Sequence, residues 1–220
     1  MSNGLSDFVD RARYIIKTDG VIGLIKRSYL YFLPSVFSHH HVYLYEHGLE
    51  DWAEENFLSR LPNVVCKIVQ SNEEADQIAK TYVDFREQFF KARDNLNKGA
   101  VAVCLYVGSN LAHISFLALS PQAKTACDAI PYTVNFSDRQ ACTGSTFTDP
   151  TYRGQNLMTY GCYKKFQYLR QRGITSVRHA IDINNAASQK VYRKFNFTVY
   201  ARARYLKILM FKYWRVTPMA

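Results

Sequence analysis

The sequence predicts an α/β chain in which helices cover both faces of a mixed sheet. Three observations carry that expectation. Hydrophobic residues make up 48% and charged residues 21% of the 220 positions, a balance that buries a core and leaves no fibrous or low-complexity character. Short β-rich apolar runs recur along the chain, and stripes at helical spacing lie between them. Their order is strand, helices, hairpin, strand, helix, strand, helix and a final strand or pair of strands, which is the pattern of a layered α/β domain.

Residues 1 to about 36 read as one or two amphipathic helices. Phe8, Ala12, Ile15 and Ile16 share a face, Gly20 interrupts it, and Ile22, Ile25 and Tyr29 resume it before Pro34. Packing on the main domain is the first reading of that apolar face, with a membrane or partner surface as the alternative. Residues 1–62 are thus taken as an N-terminal helical extension and 63–220 as the main domain. The run His39, His40, His41 is read as an exposed turn entering a strand, because no cysteine partner or HxxxH spacing supports a metal.

Residues 64–69 read as a strand, and Ser71 with Glu74 forms an S-x-x-E capping box opening a helical region that runs to about Asn97. Strands over 100–107 and 111–119 flank Gly108-Ser109-Asn110 and predict a hairpin. Residues 121–139, with Pro121 and Pro131, read as a loop or insertion, and 141–148 as a strand. Met158, Cys162, Phe166 and Leu169 make a helical stripe ended by Gly173. A buried strand over 177–181, a helix over 186–195 and a strand-like segment over 198–211 complete the chain.

Five cysteines, odd in number and without a CxxC pair, argue against a disulfide framework or zinc site and point to a reducing cytoplasm. The most apolar stretch, 21–33, is short and broken by Lys26 and Arg27, and acidic Asp7 and Asp10 precede any apolar run. The chain is therefore expected to be neither secreted nor integral. The net charge of +10 is unevenly spread: from Arg153 onward there are 14 Lys and Arg against Asp182 alone, while the part before it carries 14 against 17 Asp and Glu. A polyanionic ligand or surface should meet the last third.

Two segments carry chemistry. Residues Phe147, Thr148, Asp149, Pro150, Thr151, Tyr152, Arg153, Gly154, Gln155, Asn156, Leu157, Met158 and Thr159 run from a strand through a turn into a helix. The first amides of that helix are unpaired and sit at its positive end, where a pyrophosphate gains hydrogen bonds and charge compensation. In the second, 182–197, Asn184 or Asn185 caps a helix that places Ser188 and Tyr192 on one face.

Together these segments resemble the acyl-CoA signature of the GNAT superfamily, Q/R-x-x-G-x-G/A followed by N-x-x-(A/S)-x-x-(hydrophobic)-Y-x-K-x-G-F. The motif resemblance covers about residues 141–200. It implies a mostly antiparallel, twisted mixed sheet and an enzyme that moves an acyl group, most simply acetyl, from acetyl-CoA or another acyl-CoA to a primary amine. It also implies that the amides from Arg153 to Thr159 hold the CoA pyrophosphate, that the edge at Phe147 and Thr148 pairs with pantetheine, and that Asn185, beside Ser188, contacts it. Tyr192 corresponds to the tyrosine that protonates the leaving thiolate, a role suited to a phenol of reference pKa ~10. Asn156 and Met158 stand where the family prefers Gly and Gly/Ala, with side chains that either crowd the pyrophosphate or turn away. Asn196 replaces a Gly in a position that Asn tolerates.

The general base is open among His113, His179, Asp182, Glu46 and a water chain, and Cys142 is a weaker candidate nucleophile. The acceptor amine is unidentified, with an anionic small molecule, phospholipid headgroup or RNA suggested by the basic last third. Two readings of other classes stand beside the enzyme: a non-catalytic acyl-CoA-binding module, and a basic protein of nucleic-acid or inner-membrane surfaces.

Overall fold

A computed structural model of the chain describes residues 20–22, 37–89 and 91–219. The helices expected over residues 1–36 lie outside the described residues except at 20–22, which are helical. The elements are β1 (Phe37–Gly48), β2 (Val64–Val69), α1 (Asn72–Ile78), α2 (Phe85–Gln88), α3 (Ala92–Asn97), β3 (Val101–Val107), β4 (Asn110–Ala118), α4 (Pro121–Cys127), β5 (Gln140–Thr148), α5 (Leu157–Gln171), β6 (Ser176–Asp182), α6 (Ala186–Arg193), β7 (Thr198–Ile208) and β8 (Phe211–Pro218). The strands follow the hydrogen-bonded order β2-β3-β4-β5-β6-β1-β7-β8.

The chain divides into two units, one of residues 1–41 with 204–216 and one of 42–203 with 217–220. In the larger unit β2–β3, β3–β4, β4–β5 and β1–β6 are antiparallel, and only β5–β6 is parallel. The mixed, mostly antiparallel sheet expected from the sequence is thus present. Strands β3 and β4 are buried along almost their whole length, so they read as continuous apolar runs rather than as alternation. Their residues alternate between two helical layers. His113 points at α5 beside Gly161, and Phe116, three residues on, meets Phe89 between α2 and α3.

The hairpin of β3 and β4 turns at Gly108-Ser109, with Val107 opposite Asn110. Ser71 caps α1 by accepting from the Glu74 N–H at 3.2 Å, while the Glu74 carboxylate reaches back to the N–H of Gln70 at 2.7 Å instead of that of Ser71. The helical region expected to run to Asn97 is three short helices. Asp84 restarts the chain by accepting from the Arg86 N–H, and the buried Arg86 side chain ties α1 to α2 through Asp76, Asp84 and the Asn72 carbonyl.

Three further differences have local causes. Within the expected loop over 121–139 lies α4, capped by Ser120 and opened by Pro121, a pairing of cap and first-turn proline legible in the sequence. Residues 37–48, given no full strand by the sequence reading, form β1, paired with β6 from Val42 opposite Asp182 to Gly48 opposite Ser176. The three histidines are therefore strand residues, with the His39 and His41 Nε2 atoms 3.1 Å apart. The final strand-like segment is two strands, β7 and β8, joined at Leu209-Met210. In the smaller unit, Tyr205 stacks on His40 and meets Trp214 edge-on, each at 6.3 Å.

Candidate functional site

Strands β5 and β6 pair for only three residues, Gln140, Ala141 and Cys142 against Ser176, Val177 and Arg178, although β5 continues to Thr148 and β6 to Asp182. A bulge explains the parting. On the other side of β5, Ser115 pairs with Thr146 but Leu117 pairs with Thr143, so Gly144 and Ser145 together face one residue of β4. Gly144 is required there, since a Cβ would lie 2.5 Å from the Cys127 Sγ of α4. Beyond Cys142 the sheet therefore opens into a wedge, bounded by β5 on one side and β6 on the other.

The turn carrying the first motif lies where β5 ends. Asp149 caps a 3-10 turn over Pro150–Tyr152, Gly154 takes φ +79°, and Asn156 takes φ +61° as the N-cap of α5. The left-handed φ of Asn156 explains an asparagine where a glycine is preferred: after glycine, it adopts that conformation most readily. Its side chain is turned to other partners, donating to the Leu58 carbonyl at 2.8 Å and accepting from Lys194 Nζ at 3.2 Å. The N–H groups of Leu157, Met158 and Thr159 precede the first helical bond, Tyr160 N to the Asn156 carbonyl. Those of Gly154, Gln155 and Asn156 have no acceptor among the described residues. Met158 is half-buried with its Sδ 4.0 Å from Ser188 Oγ, and Arg153 is exposed, its Nε donating to the Thr148 carbonyl.

From the second motif, Asn185 caps α6 by accepting from the Ser188 N–H at 3.0 Å, Ser188 is buried, and Asn196 sits at φ +59° as the sequence required. Tyr192 is buried, and its hydroxyl lies 3.2 Å from Thr143 Oγ1, on the first β5 residue beyond the paired segment. The two motifs thus converge on one wedge: the turn over 153–159 at its mouth, and Tyr192 beside its apex. Burial pushes the Tyr192 phenol well above its usual pKa, so it stays protonated throughout the neutral range.

His179, on β6 beyond the paired segment, packs against Tyr192 with ring centroids 3.8 Å apart and the rings tilted by 31°, and neither of its buried nitrogens has a partner. His113 holds Thr148 Oγ1 at 2.8 Å through Nδ1 and leaves its buried Nε2 unpaired. Burial, reinforced by the nearby Lys165 cation, lowers both imidazoles, His113 to about 3 and His179 well below the usual value, so both are neutral at pH 7. Lys165 is itself buried under the wedge, 6.0 Å from the Tyr192 ring, with no ion-pair partner among the described residues.

The other candidate bases are committed. Glu46 pairs with Arg178 at 2.8 Å and accepts from Gln140, and Asp182 accepts from the Asn184 N–H. Burial raises the Cys142 thiol, which argues against a nucleophilic role. Sequence reasoning missed Thr143, the bulge and Lys165. An isolated glycine inside a strand, Gly144, was the signal for the bulge.

Among the described residues no group of His, Cys, Asp or Glu is placed to hold a metal ion, and no helix is long and apolar enough to cross a membrane. A family model described as the Acetyltransferase (GNAT) family matches residues 70–197. Compared with curated proteins, the chain finds no match. Among solved structures it is similar to the GCN5-related glucosamine N-acetyltransferase region of a fungal multi-domain GH3 β-N-acetylglucosaminidase, at TM-score 0.53 and 11% identity, covering 86% of this chain and 23% of that one. It is also similar to a tandem GNAT protein from the clavulanic acid biosynthesis pathway, at TM-score 0.50 and 15% identity, covering 89% of this chain and 59% of that one. At such identities the likeness concerns the fold, and the chain spans only part of either protein's length.

Proposed function

Because the chain belongs to the GNAT family of acetyltransferases, we propose that it transfers an acyl group, most simply acetyl, from acyl-CoA to a primary amine within the wedge between β5 and β6. The observation that carries this reading is the parting of the two strands after three residue pairs, with unpaired backbone N–H groups at its mouth and a buried phenol at its apex.

The residues present fit a CoA thioester. Gly154 has open space where a Cβ would be, and the Asn156 side chain is held by Leu58 and Lys194, so the amides from Gly154 to Thr159 remain available to a pyrophosphate. The free edge of β5 at Phe147 and Thr148 would take the pantetheine amides as a strand takes its neighbour, with Asn185 and Ser188 on the facing helix. When bound, the thioester supplies an activated carbonyl.

In this proposal the amine nitrogen attacks that carbonyl carbon and the C–S bond breaks. The proton shed by nitrogen passes to a water chain, because burial keeps the His179 imidazole from accepting it, and the Tyr192 hydroxyl gives its proton to the departing sulfur. Thr143 orients the phenol. The basic last third favours an acceptor that carries negative charge.

The decisive experiment is thermal melting with acetyl-CoA, longer acyl-CoAs and free CoA, followed by a free-thiol assay over a panel of amines. A ligand that binds only the folded chain raises the midpoint. A shift with thiol release supports the reading, and a shift without release from any amine identifies a binding module instead. Unchanged melting with every CoA removes the proposal.

A further inference from the structure

We propose that the tip of the β7–β8 hairpin inserts into the headgroup region of an anionic lipid bilayer. The four residues around the turn, Ile208, Leu209, Met210 and Phe211, are apolar, consecutive and exposed, Met210 at 93% and Leu209 at 63%. Both faces of β8 are exposed over residues 211–213, so the apolar side chains are not the outward half of a strand whose other half fills a core.

The turn chemistry points the same way. Leu209 sits at φ +53°, a conformation that glycine and asparagine adopt readily and a branched apolar side chain does not. A two-residue hairpin turn in which the first residue alone has positive φ is best served by glycine there. Here backbone preference argues against Leu209 and solvation against both Leu209 and Met210, so their selection requires a medium that rewards apolar side chains at this point.

Charge identifies the medium. Lys207 and Lys212 flank the tip, Arg204 and Arg215 follow, and residues 204–216 hold no Asp or Glu. Tyr213 and Trp214 lie next along β8. An apolar tip, a cationic collar and an aromatic band are the sequence of chemistries met on moving from acyl chains through anionic headgroups to water. A second copy of this hairpin would face it with like charge, and RNA would give the apolar tip no partner.

Co-sedimentation of the full chain with vesicles tests the proposal, using phosphatidylcholine alone and phosphatidylcholine mixed with phosphatidylglycerol. The wild type is expected to bind the mixed vesicles, less tightly as salt rises. Leu209→Gly with Met210→Asn installs the turn the backbone prefers. It should melt at the same or a higher temperature yet lose roughly tenfold or more in vesicle affinity, a split that a merely structural turn would not produce. Lys207→Gln with Lys212→Gln should remove the preference for the anionic mixture. Failure of the wild type to bind the mixed vesicles, or full binding by the variant carrying Leu209→Gly and Met210→Asn, overturns the proposal. So does a dimer in lipid-free solution that the same double variant abolishes.

Discussion

Two buried cations lie in the larger unit, and their surroundings are opposite. Arg86, 3% exposed, has two carboxylates and a carbonyl around its guanidinium, with Asp76 at 2.6 Å and Asp84 at 2.8 Å. Lys165, 1% exposed, has no carboxylate partner among the described residues, and its neighbours are neutral: two imidazoles and a phenol. Arg86 replaces helix packing where α1 and α2 are too short to hold each other, so its charge is satisfied and acts as a clamp. Lys165 instead lies near two imidazoles that burial keeps neutral, an effect to which Lys165 adds. The difference separates a buried basic group held by carboxylates from one that has none among the described residues.

The comparison breaks most readily at Arg86. Arg86→Ala leaves Asp84 half-buried with its main partner gone, and about 3–5 kcal/mol of stability should be lost in denaturant unfolding. A loss within the range of an ordinary surface substitution would show that the clamp is ornamental.

Acid tests the other side. His113 and His179 have folded-state pKa values below those of the unfolded chain, so below about pH 6.5 the unfolded chain takes up protons that the folded one refuses. Stability should therefore fall with pH from there towards the His113 value of about 3, each histidine contributing a slope of up to ~1.4 kcal/mol per pH unit. Melting followed from pH 7 to pH 5 measures it, and His113→Gln with His179→Gln should flatten the curve. A wild-type midpoint constant across that interval would mean that the wedge floor is wet.

Turnover sharpens the contrast further. Tyr192→Phe keeps the aromatic packing against His179 and removes the proposed proton donor, so kcat should fall roughly 10–100-fold while acyl-CoA affinity holds. Equal loss in both would assign Tyr192 to packing. The smallest effect on stability is expected at Lys165. Lys165→Met removes a buried amine without orphaning a partner among the described residues, so stability should change by about 1 kcal/mol or less, while the acid slope moves to higher pH. A large destabilisation would mean that Lys165 is, like Arg86, a structural cation.

Much of the wedge was legible because its parts are local. The turn over 153–156, the caps at Ser71 and Asn185 and the left-handed Asn196 are decisions made within a few residues, and the sequence carries each as a named residue type. What stayed hidden is long-range. Residues 42–48 join the sheet by pairing with β6, a partner more than a hundred positions away that leaves no trace in the local pattern. The burial of Lys165 was hidden for the same reason: a lysine in a helix is counted with the surface charge until the sheet beneath it is known. Thr143 became a site residue only once Tyr192 was placed against it. The α4 helix was a different failure, because Ser120-Pro121 was in view and the prolines were given more weight than the cap.

The parting of β5 from β6 leaves this protein with strand edges in the middle of its sheet rather than only at its rim. Over Thr143–Thr148 roughly every other peptide group points away from β4 and into the gap, where nothing within the sheet protects it. Isotope exchange would therefore read the centre of the molecule in alternation, slow and fast amides one residue apart. Any strand-like ligand that filled the gap would erase the alternation and leave the outer strands untouched.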